Sequence, residues 1–213
     1  EIAQCLVGSE MCIRDRVEYL IRQVYKNKID VCLGKTATLE DVKEYNPDFV
    51  VVATGANPVV IPVPGYEKPN VSTAVPVLLK QRAVGQRVVV VGGGEVGCEL
   101  STELYMQGKD VTMVEILPEI LLTADHFVAN DQNIRYLVEH SGVNIMTGTK
   151  LTEVLDDGVI MEIGGEKKKI GCDSVVFAAG FRPDHSLYRA IKDAGFEVVQ
   201  ILSLIHISEP TRH

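Results

Sequence analysis

Val88 to Val91 are four consecutive valines, a run that cannot alternate between a buried and a solvated face. Such a run predicts a parallel strand covered on both sides. Val111-Thr112-Met113-Val114 and Asn144-Ile145-Met146 predict two further strands of the same kind, and Glu95 to Gln107 a helix between the first two. Upstream the period changes. Val17, Leu20, Ile21 and Val24 recur at helical spacing with charges between them, which predicts an amphipathic helix over 17–27. Asp30 to Leu33 predicts a short strand. Leu39 to Glu44 predicts a short helix, capped by Thr38 with Asp41 three residues later. Asn46-Pro47-Asp48 breaks the chain before Phe49 to Ala53, a second strand expected to be fully buried, which runs into Thr54-Gly55-Ala56.

Val60 to Pro76 is rich in proline and predicts an extended crossing between two domains. Val77 to Val84 predicts a short helix before a Gly85-Gln86 turn. Asp125 to His140 predicts another helix, with Asp125 as its cap. From Lys150 the pattern becomes strands divided by turns: Lys150–Leu155, Val159–Ile163 and Lys167–Cys172, with Asp156-Asp157-Gly158 and Gly164-Gly165 between them. These are hairpin signals and predict a three-stranded antiparallel meander. Lys167-Lys168-Lys169 reads as a solvated outer edge. Ser174 to Ala178 predicts one more buried strand. Ala53-Thr54-Gly55-Ala56 and Ala178-Ala179-Gly180-Phe181 look like counterparts.

The valine run leads directly into Gly92-Gly93-Gly94-Glu95-Val96-Gly97, which fits G-x-G-x-x-G between a strand and a helix. Each glycine has a separate task. Gly92 allows a sharp turn, Gly94 lets backbone approach a pyrophosphate, and Gly97 lets the helix pack close to the sheet. The helix N-terminus offers free N–H groups to phosphate. Glu115 ends the next strand, where an acid hydrogen-bonds a ribose hydroxyl, and no Arg or Lys follows it closely. A 2′-phosphate would meet this carboxylate, so the pattern predicts NADH rather than NADPH. Glu95 suits the helix dipole, or else faces the nicotinamide side of the pocket.

Composition narrows the setting. The chain has 213 residues and a net charge of −8, which argues against a nucleic-acid partner. No apolar run approaches a membrane span. Five cysteines without regular spacing predict reduced thiols and a cytoplasmic location. Cys32, Cys98 and Cys172 read as packing residues. His126, His140 and His185 are isolated, so no metal site is expected, and because a bound coenzyme carries hydride chemistry itself, no side chain needs to be a catalytic acid, base or nucleophile. The ends look foreign. Leu6 to Asp15 and Leu202 to Arg212 resemble the two strands of a translated sequencing adaptor, so 1–16 and 202–213 are set aside as non-native tails.

The order of these pieces resembles the flavoprotein reductases of the pyridine nucleotide-disulfide oxidoreductase superfamily, in which an NAD(P) domain is inserted into an FAD domain. The wording of Pro47 to Ala56 and of Gly92 to Glu99 is similar to the C-terminal part of NADH:flavin oxidoreductases of the 2,4-dienoyl-CoA reductase and 2-enoate reductase type. The resemblance implies a Rossmann-like three-layer (ββα) NAD(P)-binding domain over 77–180. A partial FAD-binding domain and crossing would occupy 17–76, with a return to it over 181–201. It also implies that Thr54, Gly55 and Ala56 belong to the FAD site, and that Ala179 and Gly180 lie in the segment closing the NAD(P) domain.

The FAD site would be incomplete here. Its own glycine motif, a barrel, its FMN and any iron–sulfur cysteines would lie upstream. Partners would be small-molecule cofactors, the substrate and those further domains of the same chain, with no nucleic acid and no membrane. The implied activity is hydride transfer from NADH to FAD and onward to FMN, reducing an activated alkene. A disulfide reductase, an NADH oxidase and a non-enzymatic NADH-responsive module are the alternatives.

Overall fold

The computed structural model describes residues 15–122 and 128–201. The foreign-looking ends thus lie outside the described residues, apart from Asp15 and Arg16, which form the first turn of a helix. Two compact units divide at Asn46 and Pro47.

The first unit holds helix α1 (15–26) and helix α2 (Leu39–Tyr45). Thr38 caps α2 as expected. Its hydroxyl accepts from the Asp41 amide at 3.3 Å, and Asp41 accepts from the Thr38 amide at 2.8 Å. The Lys35 ammonium, 2.5 Å from Asp41, and then the Thr38 amide and hydroxyl, which both donate to the Asp41 carboxylate, hold that carboxyl down to about 2. Asn46 closes the helix in the left-handed region at φ 46°. Asp30 to Leu33 is not a strand. The segment is exposed, and no strand among the described residues pairs with it, so its backbone groups have no ladder to join. Cys32 is therefore exposed and not a packing residue.

The second unit is built on a five-stranded parallel sheet. Its strands are β3 (Val71–Thr73), β10 (Ser174–Phe177), β4 (Arg87–Val91), β5 (Asp110–Val114) and β6 (Asn144–Met146), in that spatial order. Helix α4 (Glu95–Met106) connects β4 to β5, and α5 (Val128–Glu139) lies between β5 and β6 in the chain. The expected cap Asp125 lies outside the described residues. The short helix α3 (Ala74–Leu78) comes earlier than Val77 to Val84 suggested.

The valine run divides between two cores. Val88 and Val90 pack with Leu100, Leu104, Val111, Met113 and Val138 on the helical side. Val89 and Val91 pack with Leu151, Val159, Met161, Val175 and Phe177 on the other. That second core is covered by the meander β7 (Thr149–Val154), β8 (Gly158–Ile163) and β9 (Glu166–Gly171), which gives the three-layer arrangement. Each fully buried valine contributes ~1.5–3 kcal/mol, so burial on both faces makes β4 the anchor of the unit. Lys167 to Lys169 do form an exposed outer strand, with Lys169 on Asp157 at 2.7 Å.

The segment read as a crossing, Val60 to Pro76, contains β3, and β2 (Ala56–Pro58) lies just before it. β2 pairs antiparallel with β11 (Phe181–Pro183), so the strands that continue from the two counterpart segments lie side by side. Both are entered through a left-handed glycine, Gly55 at φ 72° and Gly180 at φ 86°. β1 (Val50–Val52) pairs in parallel with β12 (Val198–Gln200) in a separate two-stranded sheet. It is not fully buried. Val52 is 3% exposed but Val51 is 52% and Phe49 50%, because a two-stranded sheet covers neither of its faces by itself. Helix α6 (Ser186–Asp193) packs beside β12.

Candidate dinucleotide-binding site

β4 is flanked by β5 on one side and β10 on the other, with the chain leaving it in the first direction and returning in the second. The crevice beyond the carboxyl ends of these strands is where open α/β sheets bind ligands. A cleft of about 460 Å³ lies here, lined by Gly92, Gly94, Glu95, Val96, Glu115, Ala179 and Gly180. It is also lined by Ile61, Ile116, Leu117, Thr149, Lys150 and Leu151, which the sequence reading did not single out.

The three motif glycines differ in what surrounds them. Gly92 sits at φ 116°, and a Cβ there would meet the Ala178 carbonyl oxygen at 2.4 Å. A Cβ on Gly97 would stand 1.9 Å from the Gly92 oxygen. A Cβ on Gly94 would meet nothing within 4 Å, so that space is open for a ligand's approach. Gly94 is the N-cap of α4, and no side chain caps that end. The first-turn amides and the positive end of the helix suit a phosphate. These features fit the pyrophosphate of a dinucleotide.

Gly93 and Gly97 lie behind the lining. The Gly93 amide donates to Glu115 Oε2 at 2.6 Å, and the Leu117 amide donates to Oε1 at 2.8 Å. Glu115 thus staples the glycine turn to the end of β5, and each oxygen keeps a further lone pair for a ribose hydroxyl. The Gly93 carbonyl accepts from Leu121 N at 2.8 Å, which fixes the turn from its other side.

Burial, reinforced by the charge of Glu95 one helical turn away, raises the carboxyl of Glu99 above its ordinary value. Burial pushes the Cys98 thiol up to about 12 and the Cys172 thiol up to about 11. Both are packing residues, as read from the sequence. His140 donates its Nδ1–H to the Tyr136 carbonyl at 2.8 Å and stacks on that residue's ring, and His185 reaches Gln200 at 2.5 Å. His126 lies outside the described residues. Among the described residues no group of His, Cys, Asp or Glu could hold a metal ion, and no helix is long and apolar enough to cross a membrane.

Thr54, Gly55 and Ala56 do not line the cleft. They lead from β1 into β2. Gly180 does line it, and its carbonyl also accepts from Val59 N at 2.9 Å, so the return segment is tied to the outgoing one at the rim.

Residues 10–201 match the family model described as pyridine nucleotide-disulphide oxidoreductase. The chain belongs to this family. Within it, the chain is 34% identical over 186 residues to a bilirubin reductase of Mediterraneibacter gnavus, covering 85% of this chain and 28% of that one. It is 32% identical over 165 residues to a cinnamate reductase of Clostridium sporogenes, covering 77% of this chain and 24% of the relative. Among solved structures, a 2-naphthoyl-CoA reductase superposes with a TM-score of 0.78 at 29% identity, over 88% of this chain and 28% of that one. The chain therefore spans about a quarter of the length of these relatives. The pyridine nucleotide-disulphide oxidoreductase fold accounts for both the parallel sheet and the meander.

Proposed function

We propose that this chain is the NADH-binding part of a flavin-dependent oxidoreductase that reduces an activated alkene through FAD and FMN. The observation that carries the reading is the cleft in which an open-faced Gly94, an uncapped helix end and the Glu115 carboxylate converge. When bound, NADH supplies a hydride and a flavin accepts it. The protein binds and aligns. The amides of Gly94 and the first turn of α4 would hold the pyrophosphate, Glu115 would accept from the adenosine ribose, and Ala179 and Gly180 would bound the nicotinamide end. Ile61, Val96 and Leu151 supply an apolar lining.

The names of the cinnamate and 2-naphthoyl-CoA reductases support an alkene or arene acyl acceptor. A likeness of 33% over 188 residues to an NADH oxidase of Thermoanaerobacter brockii favours a second reading, with a different final acceptor. In either case FAD would be held only in small part by 17–76 and 181–201, through Thr54, Gly55 and Ala56. The FMN, any iron–sulfur cluster and the remaining partners would belong to other domains of the same chain. A cytoplasmic setting without nucleic acid or membrane suits the free thiols and acidic charge.

Titrating the purified chain with NADH, followed by quenching of the coenzyme's fluorescence, tests this. Saturable binding by a colourless protein is expected. Absence of saturation overturns the coenzyme assignment, and a yellow protein with stoichiometric FAD overturns the incomplete flavin site. Alkene against dioxygen turnover by the full-length protein then separates the two acceptors.

A further inference from the structure

The sequence places no cation shortly after Glu115, but the fold brings one to the same cleft. The Thr149 amide donates to the Glu115 carbonyl at 2.8 Å, and the Gly148 amide to the Leu117 carbonyl at 2.8 Å. These two bonds hold the start of the meander against the end of β5. Lys150, the next residue, lines the same cleft as Glu115 and Leu117. It is exposed and makes no ion pair with any described residue. The other charged residues lining the cleft are Glu95 and Glu115.

From this we infer that Lys150 reads the 2′ position of the adenosine ribose and gives the site a usable affinity for NADPH beside NADH. The inference rests on the reading of the cleft as a nicotinamide-dinucleotide site. Its physical basis is a charge balance. A 2′-phosphate brings roughly −1.5 to −2 charges by analogy with other phosphate monoesters. Glu115 opposes it, but both carboxylate oxygens already accept from backbone amides, which offset part of the negative charge. Lys150 supplies a flexible point charge from the neighbouring strand, the form in which lysine binds phosphate. Selectivity between the coenzymes is then a contest between Glu115 and Lys150, with Glu115 ahead.

The test measures dissociation constants of NADH, NADPH, ADP and adenosine 2′,5′-bisphosphate at matched ionic strength. The proteins are the whole chain and its Lys150→Met and Lys150→Arg variants. Wild type should bind NADPH within roughly tenfold of NADH, and Lys150→Met should weaken NADPH and the bisphosphate by roughly tenfold or more. NADH and ADP should change less than about threefold, and Lys150→Arg should restore the bisphosphate. Added salt should erode the NADPH arm first. If wild type shows no NADPH binding, or if Lys150→Met moves all four ligands together, the assignment of Lys150 is overturned while the dinucleotide reading stands. If no ligand binds, both are overturned.

Discussion

The carboxylate of Glu115 accepts a hydrogen bond from the amide of Gly93 at 2.6 Å, across 22 positions of sequence. An acid expected to serve only a ribose also holds the loop that serves the phosphates. Each hydrogen bond to a charged acceptor contributes ~1.5–3 kcal/mol. Glu115→Ala should therefore lower the melting temperature and weaken NADH by roughly ten- to hundredfold. NADPH should weaken too, so the ratio of the two constants, and not the NADPH constant alone, reports the ribose contact. Calorimetry together with both titrations checks this. An unchanged melting temperature would show that the staple contributes nothing.

Gly94 and Gly97 should fail in opposite ways. Gly97→Ala drives a methyl into the Gly92 carbonyl, and overpacking of this kind costs ~1–3 kcal/mol or more. Thermal denaturation should show that loss directly. Gly94→Ala places its methyl in open space, so the melting temperature should hold while NADH binding falls by roughly tenfold or more. A Gly94→Ala protein that binds NADH normally would move the pyrophosphate elsewhere.

Asp173 fastens the turn after β9 to the start of β4. Its Oδ1 accepts from Arg87 Nη2 at 2.6 Å and its Oδ2 from the Arg87 amide at 2.8 Å. The guanidinium first, and then that amide, hold the Asp173 carboxyl below its ordinary value. A depressed value means that the stabilisation is present above the unfolded carboxylate pKa of about 3.9, and is lost as pH falls through the lower folded one. Asp173→Asn should lower the melting temperature at neutral pH, and the gap to wild type should close in acid. The gap should be small, because the pair is 37% and 50% exposed. A gap that widens in acid would contradict the assignment.

Cys98 and Cys172 should be silent towards a thiol reagent in the native protein, since burial keeps both protonated far above neutral pH. Replacing both by Ala should leave the native thiol count unchanged and lower the count in denaturant by two. Rapid native reaction of either would point to redox chemistry.

The elements legible in the sequence are those whose own residues carry the signal. The valine run declares a strand covered twice, and Gly164-Gly165, at φ 58° and 88°, declares its hairpin. β3 is different. Val71-Ser72-Thr73 carries no pattern, and it becomes a strand only because β10, about a hundred residues later, lies beside it. The same limit hid Lys150. Its distance from Glu115 along the chain is long, and two backbone bonds at the start of the meander remove it. The exposure of Val51 was illegible for the converse reason: three valines signal a strand, but not how many layers cover it.

The pairing of β2 with β11 has a mechanical consequence. Two free linkers would let the dinucleotide-binding sheet drift in every direction. Two strands running opposite ways and bonded from Ala56 to Pro58 against Phe181 to Pro183 form a single ribbon, pivoted at Gly55 and Gly180. A ribbon resists stretching and shear in its own plane but yields to torsion. The β4 sheet and the β1–β12 pair are thereby joined by two bonded strands and not by two independent linkers. Whatever turns that ribbon also turns the rim of the cleft, because Gly180 belongs to both.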